Sequence, residues 1–289
     1  DPDIERETTK TFDERERAAL KESLFQRLTD HVQTLWRQDG TPRFVMLDQC
    51  FRSHPIHVDL VNRHFYQDTH GTLRAGREAS DFTHNWPQWR DAEGGAAAVA
   101  WCHIPASKGR EHRVGTSYVR EAEAQTIAAE VDTLLAHDSD VSIGVISFYA
   151  AQAQLIRERL AQKGWMRAIQ AEVGESSPVA YEAVWADGPS QGKPMPRLRV
   201  GSIDAFQGLE FDVVFLSVTR CNARNAEQAH QWHRRFGHLL SKHRLCVALS
   251  RQKQLLVCVG DEEMVAAEPG PSALPSLAEI ARRARNKES

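Results

Sequence analysis

The chain has 289 residues, 41% of them hydrophobic, 26% charged and 8% aromatic, with a formal net charge of −3. That is the make-up of one large or two modest globular domains; no stretch approaches the ~18 consecutive apolar residues of a membrane-spanning helix, and the acidic start lacks the basic and apolar regions of a signal peptide. These features point to an intracellular, cytoplasmic protein with no membrane partner, and the slightly acidic balance confines any contact with a polyanion to a local groove.

The five cysteines, Cys50, Cys102, Cys221, Cys246 and Cys258, are odd in number and contain no CxxC pair, so neither a disulfide framework nor a metal site is expected. From Asp13 to about Arg37, apolar residues recur at helical spacing, and Asp39-Gly40-Thr41-Pro42 ends the run. Arg43 to Asp48 is a short strand candidate. Gln49 to His54 leads into a helix from Ile56 to about Tyr66, with Pro55 in the first turn, where its missing amide proton costs nothing. Residues 70 to 96, rich in polar residues and glycine, read as an irregular insert. Ala97 to Pro105 reads as a strand and Ser107 to Gly115 as a basic loop; Ser117 caps a helix running from about Tyr118 to Ala136.

Val141 to Ser147 is a buried strand that turns through Tyr149 into a helix carrying Leu155, Ile156 and Leu160. Seven glycines and prolines between Gly164 and Arg197 mark a surface insert at about 165–197, with a hairpin expected at Val179 to Trp185. Leu198 to Ile203 and Asp212 to Val218 are strands separated by the polar turn that holds Gln207-Gly208-Leu209-Glu210. Leu239 to Arg251 is a helix, Leu255 to Val259 the last strand and Ser276 to Arg285 a terminal helix. Alternating strands and helices predict an α/β domain built on a parallel sheet. The expected organisation is a helical lead-in over 1–40, the α/β domain over 41–265 and a linker with its helix over 266–289.

Polar chemistry gathers at the strand ends. Phe51 and Arg52 place an aromatic face beside a guanidinium at a strand-to-helix junction, the pair that a base and a phosphate require. The same two residues equally fit a core ring and a solvated charge when the segment is taken alone. Gln207, Gly208 and Glu210 form a glycine-containing loop with an amide and an acid, which suits a nucleotide site on a parallel sheet. Arg244 and Arg251 lie seven residues apart, so on one helix they share a face, ~10 Å apart along the axis.

Taken together, these segments resemble a known family. Leu47-Asp48-Gln49-Cys50-Phe51-Arg52-Ser53-His54-Pro55-Ile56, followed by Asn62 to Tyr66, is similar to the Q-Y-R-M-H-P and N-x-x-F-Y segments of superfamily 1 helicases of the nonsense-mediated-decay helicase type. Ile143 to Gln152 resembles I-G-V-I-T-P-Y-x-x-Q, Ser202 to Ser217 resembles V-D-x-F-Q-G-x-E-x-D-x-x-x-x-S, and Gly237 to Lys253 matches G-F-L-x-D-x-R-R-L-N-V-A-L-T-R-A-K without a gap. The motifs follow the family's order from residue 47 to 253. Departures include Phe51 for Tyr, Ser53 for Met, Phe148 for Pro, Ser241 for Asp, His243 for Arg, Cys246 for Asn and Ser250 for Thr.

The resemblance implies a RecA-like P-loop NTPase fold, a parallel sheet with helices on both faces, forming the second motor domain of an ATP-dependent helicase. On that basis Phe51 stacks on the base, Arg52 meets the terminal phosphate, Glu210 binds the ribose side, and Gln207, Gly208 and Arg244 line the ATP site. Arg251 is the arginine finger. Ser147, Tyr149, Ser202 and Arg220 are the implied contacts to single-stranded DNA or RNA. No G-x-x-x-x-G-K-[ST] loop occurs in the chain, so the phosphate-cradling loop and the Mg2+ ligands are expected on an N-terminal RecA-like partner domain, and this chain alone is expected to be inactive. The Asp1-Pro2 start near the family's G-D-P/H-x-Q segment also suggests half of a longer motor, although no Gln follows in place. Two alternatives stay open: a non-catalytic nucleic-acid-binding or protein-docking module, and an ATP-driven translocase that does not unwind.

Overall fold

The computed structural model describes residues 24–43, 45, 47–67, 72–169, 179–184 and 197–288. The chain forms two compact units, one ending at Leu47 and one from Asp48 to Ser289. In the first, helix α1 (Leu24–Asp39) ends where Gly40 turns to a φ of 70° and Asp39 Oδ1 accepts from the Thr41 amide. The expected helix start at Asp13 lies outside the described residues.

The second unit is organised by five parallel strands, β1 (Val99–His103), β2 (Ile143–Ser147), β3 (Leu198–Ser202), β4 (Phe211–Ser217) and β5 (Gln252–Gly260), in the spatial order β1-β5-β4-β2-β3. Successive side chains on a strand point to opposite faces, so a strand covered on both sides must be apolar throughout. Val213 and Phe215 of β4 and Val257 of β5 accordingly join Val145, Ile127, Val131 and Leu134 in one core. Val214, Leu216 and Cys258 join Ile146, Leu245, Leu249, Leu277 and Ile280 in the other. Helices α3 (Glu121–His137) and α4 (Ala150–Gln162) supply the first core, while α5 (Lys242–Ala248) and α6 (Pro275–Asn286) supply the second. This is the α/β fold with helices on both faces that the sequence implied.

Local differences have identifiable causes. Helix α2 (Pro55–Val61), which begins at Pro55 as expected, passes at Asn62 into a π-turn through Tyr66. Part of the strand expected at Arg43 to Asp48, Phe44 and Met46, lies outside the described residues; just after it, Gln49–Cys50 pairs parallel with Arg74–Ala75 in the segment expected as an irregular insert. Ser117 does not cap α3: it pairs in a hairpin, His112–Val114 with Ser117–Val119, and the helix begins at Glu121. The hairpin expected within Val179 to Trp185 draws its second strand from elsewhere, since Ala180–Ala183 pairs with Met166–Ile169; Trp185 lies outside the described residues. The helix expected from Leu239 to Arg251 shortens to α5, preceded by a 3-10 turn at Gly237–Leu240, so Arg251 leaves the helix and stands just before β5. Arg244 and Arg251 therefore do not share a helix face.

The polar stretch between β3 and β4 is a crossover, not a turn between neighbours. It leaves β3 at Ser202, forms a 3-10 turn at Ile203–Phe206 and enters β4 at Phe211, with β2 lying between the two strands. Gly144 of β2 has no side chain where the rings of Phe206 and Phe211 close over it. Because β3, β2 and β4 run parallel and Ser202 lies level with Ser217 through Ser147, Ser202 and Glu210 end up at opposite edges of the sheet, seven residues or roughly 23 Å apart along the strands at ~3.3 Å each.

Candidate functional site: a cleft at the amino edge of the sheet

The amino ends of β4 and β5 gather the residues of the first and last motifs. Ser53 Oγ donates to the Gln252 carbonyl at 2.7 Å and the His54 amide to that of Lys253 at 2.8 Å, which docks the segment ahead of α2 onto the start of β5. His57 adds a 2.7 Å bond between its Nε2 and the Ala98 carbonyl. Burial lowers the pKa of His57 to about 3 and that of His54 to about 4, so both anchoring rings are neutral. The docking brings Arg52 Nε to within 2.8 Å of Glu210 Oε2, while the Phe211 amide bonds the Arg251 carbonyl at 2.9 Å.

Arg251 is folded back on its own turn. Its Nη1 donates to the Leu209 carbonyl at 3.3 Å, its Nε to the Val247 carbonyl at 3.2 Å and its Nη2 to Ser250 Oγ at 2.8 Å. Burial lowers its pKa below the ordinary guanidinium value, and the nearby Arg52 charge lowers it further. Two guanidiniums held this close repel each other, and an anion between them relieves that repulsion. Phe51, Arg52, Tyr66, Cys246 and Arg251 line a cavity of about 320 Å³ here.

Phe51 is 58% exposed, unusual for a large ring. One face of it lies on the backbone of Gly76: an atom in the position of a Cβ there would stand 2.5 Å from the ring. Much of the rest of the ring is exposed. Gln207, Gly208 and Glu210 are exposed, and Gly208 adopts a φ of 79° that favours glycine and leaves its backbone open to close approach. Arg244 pairs at 3.0 Å with Asp204 and does not line the cavity beside Arg251.

The four residues implied for nucleic acid lie at the carboxyl edge, and three of them are buried. Ser147 Oγ accepts from the Tyr149 amide at 3.1 Å, and Tyr149 OH accepts from Arg220 Nη1 at 3.2 Å and from the His238 amide at 3.3 Å. Arg220 is 2% exposed, with Nε on Glu111 Oε2 at 3.0 Å and Nη2 on the Arg234 carbonyl at 2.7 Å. Its guanidinium also sits 4.6 Å from the centre of the Tyr118 ring. As folded, then, Ser147, Tyr149 and Arg220 present no surface to a strand; Ser202, half-buried at the end of β3, does.

Comparison with known proteins follows the same boundaries. A family model described as an AAA domain matches residues 20–263, most of the chain. The chain belongs to that family. Within it, the chain is similar to regulator of nonsense transcripts 1 homologues, at 27% identity in Arabidopsis thaliana (88% of this chain, 16% of that protein) and 26% in Neurospora crassa (86% and 19%). A protein from Gallus gallus that carries the name helicase MOV-10 is 25% identical, covering 86% of this chain and 24% of its own. The resemblance to superfamily 1 helicases of the nonsense-mediated-decay type is thus borne out for this AAA domain, which spans between a sixth and a quarter of the length of these relatives. Among solved structures, the C-terminal domain of a possible DNA helicase from Lactobacillus plantarum WCFS1 is 14% identical with a TM-score of 0.35, over 73% of this chain and 86% of that one.

Two residues of this AAA domain's cleft escaped the sequence reading. Lys253, the last residue of the matched motif, reaches Glu210 Oε1 at 3.3 Å, so Glu210 is held from both sides by Arg52 and Lys253. Its place at the end of the motif was a usable signal. Gly76 gave none, because its contact with Phe51 depends on the pairing of Cys50 with Ala75.

Proposed function

We propose that this domain is the second motor half of an ATP-dependent superfamily 1 helicase, which binds ATP jointly with an N-terminal RecA-like domain and moves along single-stranded DNA or RNA. The observation that supports it most is the convergence of Arg52, Glu210 and Arg251 at the amino ends of β4 and β5, beside the exposed ring of Phe51. ATP seated in this cleft stacks its base on Phe51 and turns its ribose toward Glu210. The Arg52–Glu210 pair is exposed on both sides, and such pairs are worth ~0–1 kcal/mol, so Arg52 exchanges its carboxylate for a phosphate at little cost. Lys253 stays with Glu210 through that exchange.

Closure against the partner domain swings Arg251 away from the Leu209 and Val247 carbonyls toward the γ-phosphoryl group. There it neutralises charge that builds as water displaces the leaving ADP oxygen. Magnesium accompanies the phosphates, with its ligands on the partner domain. Reopening after hydrolysis steps the two halves along the strand.

The test is Arg251→Ala in the full-length protein. ATP turnover in the presence of nucleic acid should fall ~10³-fold or more, the usual worth of an arginine finger, with strand binding retained. Turnover at the unsubstituted rate overturns the assignment of Arg251, and absence of ATP affinity in the unsubstituted protein overturns the motor reading itself.

A further inference from the structure

The burial of Arg220 leaves open what it holds. Glu111, just ahead of the hairpin that follows β1, accepts from Arg220 Nε, from the Cys221 amide at 2.6 Å and from Asn222 Nδ2 at 2.9 Å, while its Oε1 meets Arg220 Nη2 at 2.9 Å. The Glu111 amide in turn bonds the Cys221 carbonyl at 3.2 Å. Arg220 Nη2 and Asn222 Nδ2 continue to the carbonyls of Arg234 and Arg235. One buried ion pair thus clamps the hairpin of 108–119 against the arm of 221–238, both at the carboxyl edge of the sheet.

The clamp consumes the hairpin's one acid and leaves its cations free. Over 106–119 and 220–238 the sequence carries seven lysines and arginines against two acids, Glu111 and Glu227, in a chain whose net charge is −3. Lys108, Arg110, Arg113, Arg224 and Arg234 are exposed, and among the described residues no carboxylate lies in salt-bridge range of any of them. Elsewhere Arg63, Arg77, Arg159, Arg167, Arg282 and Arg285 all have carboxylate partners. Arg113, Arg224 and Arg234 are drawn together around Tyr118: Arg113 lies opposite Tyr118 in the hairpin, Arg224 sits 5.8 Å from the Tyr118 ring, and Arg224 Nη1 bonds the Arg234 carbonyl, while Lys108 and Arg110 lie in the same segment just ahead of the hairpin.

We infer that this ledge, and not Arg220 directly, is where the domain grips the sugar-phosphate backbone of a single strand, with Arg220 and Glu111 as positioning residues. Unpaired guanidiniums in a row suit a polyanion, because each displaces a condensed counterion without first breaking an internal ion pair. The inference rests on the motor reading and replaces three of its expected contacts with surface ones.

The test compares the full-length protein with a Lys108→Gln/Arg110→Gln/Arg113→Gln variant, titrating labelled oligothymidylate and oligouridylate over a salt series. Each lost phosphate contact lowers the log–log salt slope by ~0.7, so three lost contacts make it shallower by about 2 and weaken binding roughly 100-fold near 0.1 M salt. Arg282→Gln/Arg285→Gln, which removes two paired cations from α6, should leave the slope unchanged. An unchanged slope in the triple variant, or an equal loss in the α6 variant, overturns the ledge. Because ATP turnover is measured on the same samples, an unsubstituted protein that hydrolyses ATP and binds strands while the triple variant binds equally well defeats the ledge alone. One that does neither defeats the motor reading.

Discussion

Gly76→Ala isolates the seat of the Phe51 ring from the rest of the cleft. The new methyl would stand 2.5, 2.7 and 2.8 Å from three carbons along one side of the ring. Carbon atoms settle at ~3.5–4.0 Å, so the ring must retreat by about 1 Å. Since Phe51 is largely exposed it can swing outward without compressing the core, and the backbone at Gly76 has no positive φ that alanine would resist. The cost to folding is therefore within about 0.5 kcal/mol, as for most surface substitutions. A base stacked on the ring loses its platform. Stacking on an aromatic side chain is worth ~1–3 kcal/mol, which weakens nucleotide binding roughly 5- to 100-fold. The assay is titration of the full-length variant with a fluorescent ATP analogue beside urea unfolding, with Phe51→Ala as the reference. A stable Gly76→Ala protein that binds nucleotide as tightly as the unsubstituted one, while Phe51→Ala does not, refutes the idea that Gly76 sets the ring. If Phe51→Ala also binds normally, the ring itself has no part in base recognition.

Two further outcomes concern stability. Gly237→Ala places a methyl 2.2 Å from Arg220 Nη1 and 2.4 Å from Tyr149 OH at a φ of 56°, and both neighbours are buried. Losing a buried charged hydrogen bond and forcing that φ together destabilise the chain by about 3–5 kcal/mol, read as a lower urea midpoint; a change under ~1 kcal/mol would mean the clamp is slack. Burial pushes the carboxyl of Glu123 up to about 7 from an ordinary 4.5, despite Arg120 at 3.1 Å, so the folded chain keeps a proton that the unfolded chain releases. The stability this residue contributes is complete below pH 4.5 and gone above pH 7. Glu123→Gln should accordingly flatten the decline in unfolding free energy over that window, and parallel curves for the two proteins would contradict the assignment.

What could be read from the sequence and what could not divide along the range of the interactions. The five strands were legible because apolar runs between polar breaks specify buried strands locally, and the junction at Phe51 and Arg52 was legible because Pro55 fixes the start of α2. Arg220, implied by the resemblance as a contact to a strand, is buried for a reason the local sequence does not display. It follows an apolar strand, where a lone arginine ordinarily marks the return to solvent, yet its partners Glu111, Tyr149 and Arg234 come from three other segments. The helix expected through Arg251 failed in the same way: nothing local ends α5 at Ala248, and it is the docking of Ser53 and His54 on Gln252 and Lys253 that accompanies an early start of β5.

These long-range contacts also bear on how the two edges of the sheet communicate. The crossover from Ser202 to Glu210 joins them through the chain, and β4 joins them rigidly, since Phe211 opens at the Arg251 carbonyl and Ser217 closes on Glu123 Oε2 at 2.7 Å. Thr219, two residues on and at a φ of 65°, places its amide on the same oxygen at 2.7 Å, and Arg220 comes next. A non-glycine residue in that conformation costs ~1–2 kcal/mol, and the Glu123 hydrogen bond offsets it. The strain sits between the strand that begins in the proposed nucleotide cleft and the arginine that clamps the cationic ledge. A shift of β4 along its length when Arg251 changes partners would load Thr219 first, and relief of that strain would be felt next at Arg220. In the proposed motor, coupling between ATP turnover and strand grip would run through β4 and the Glu123 carboxyl group.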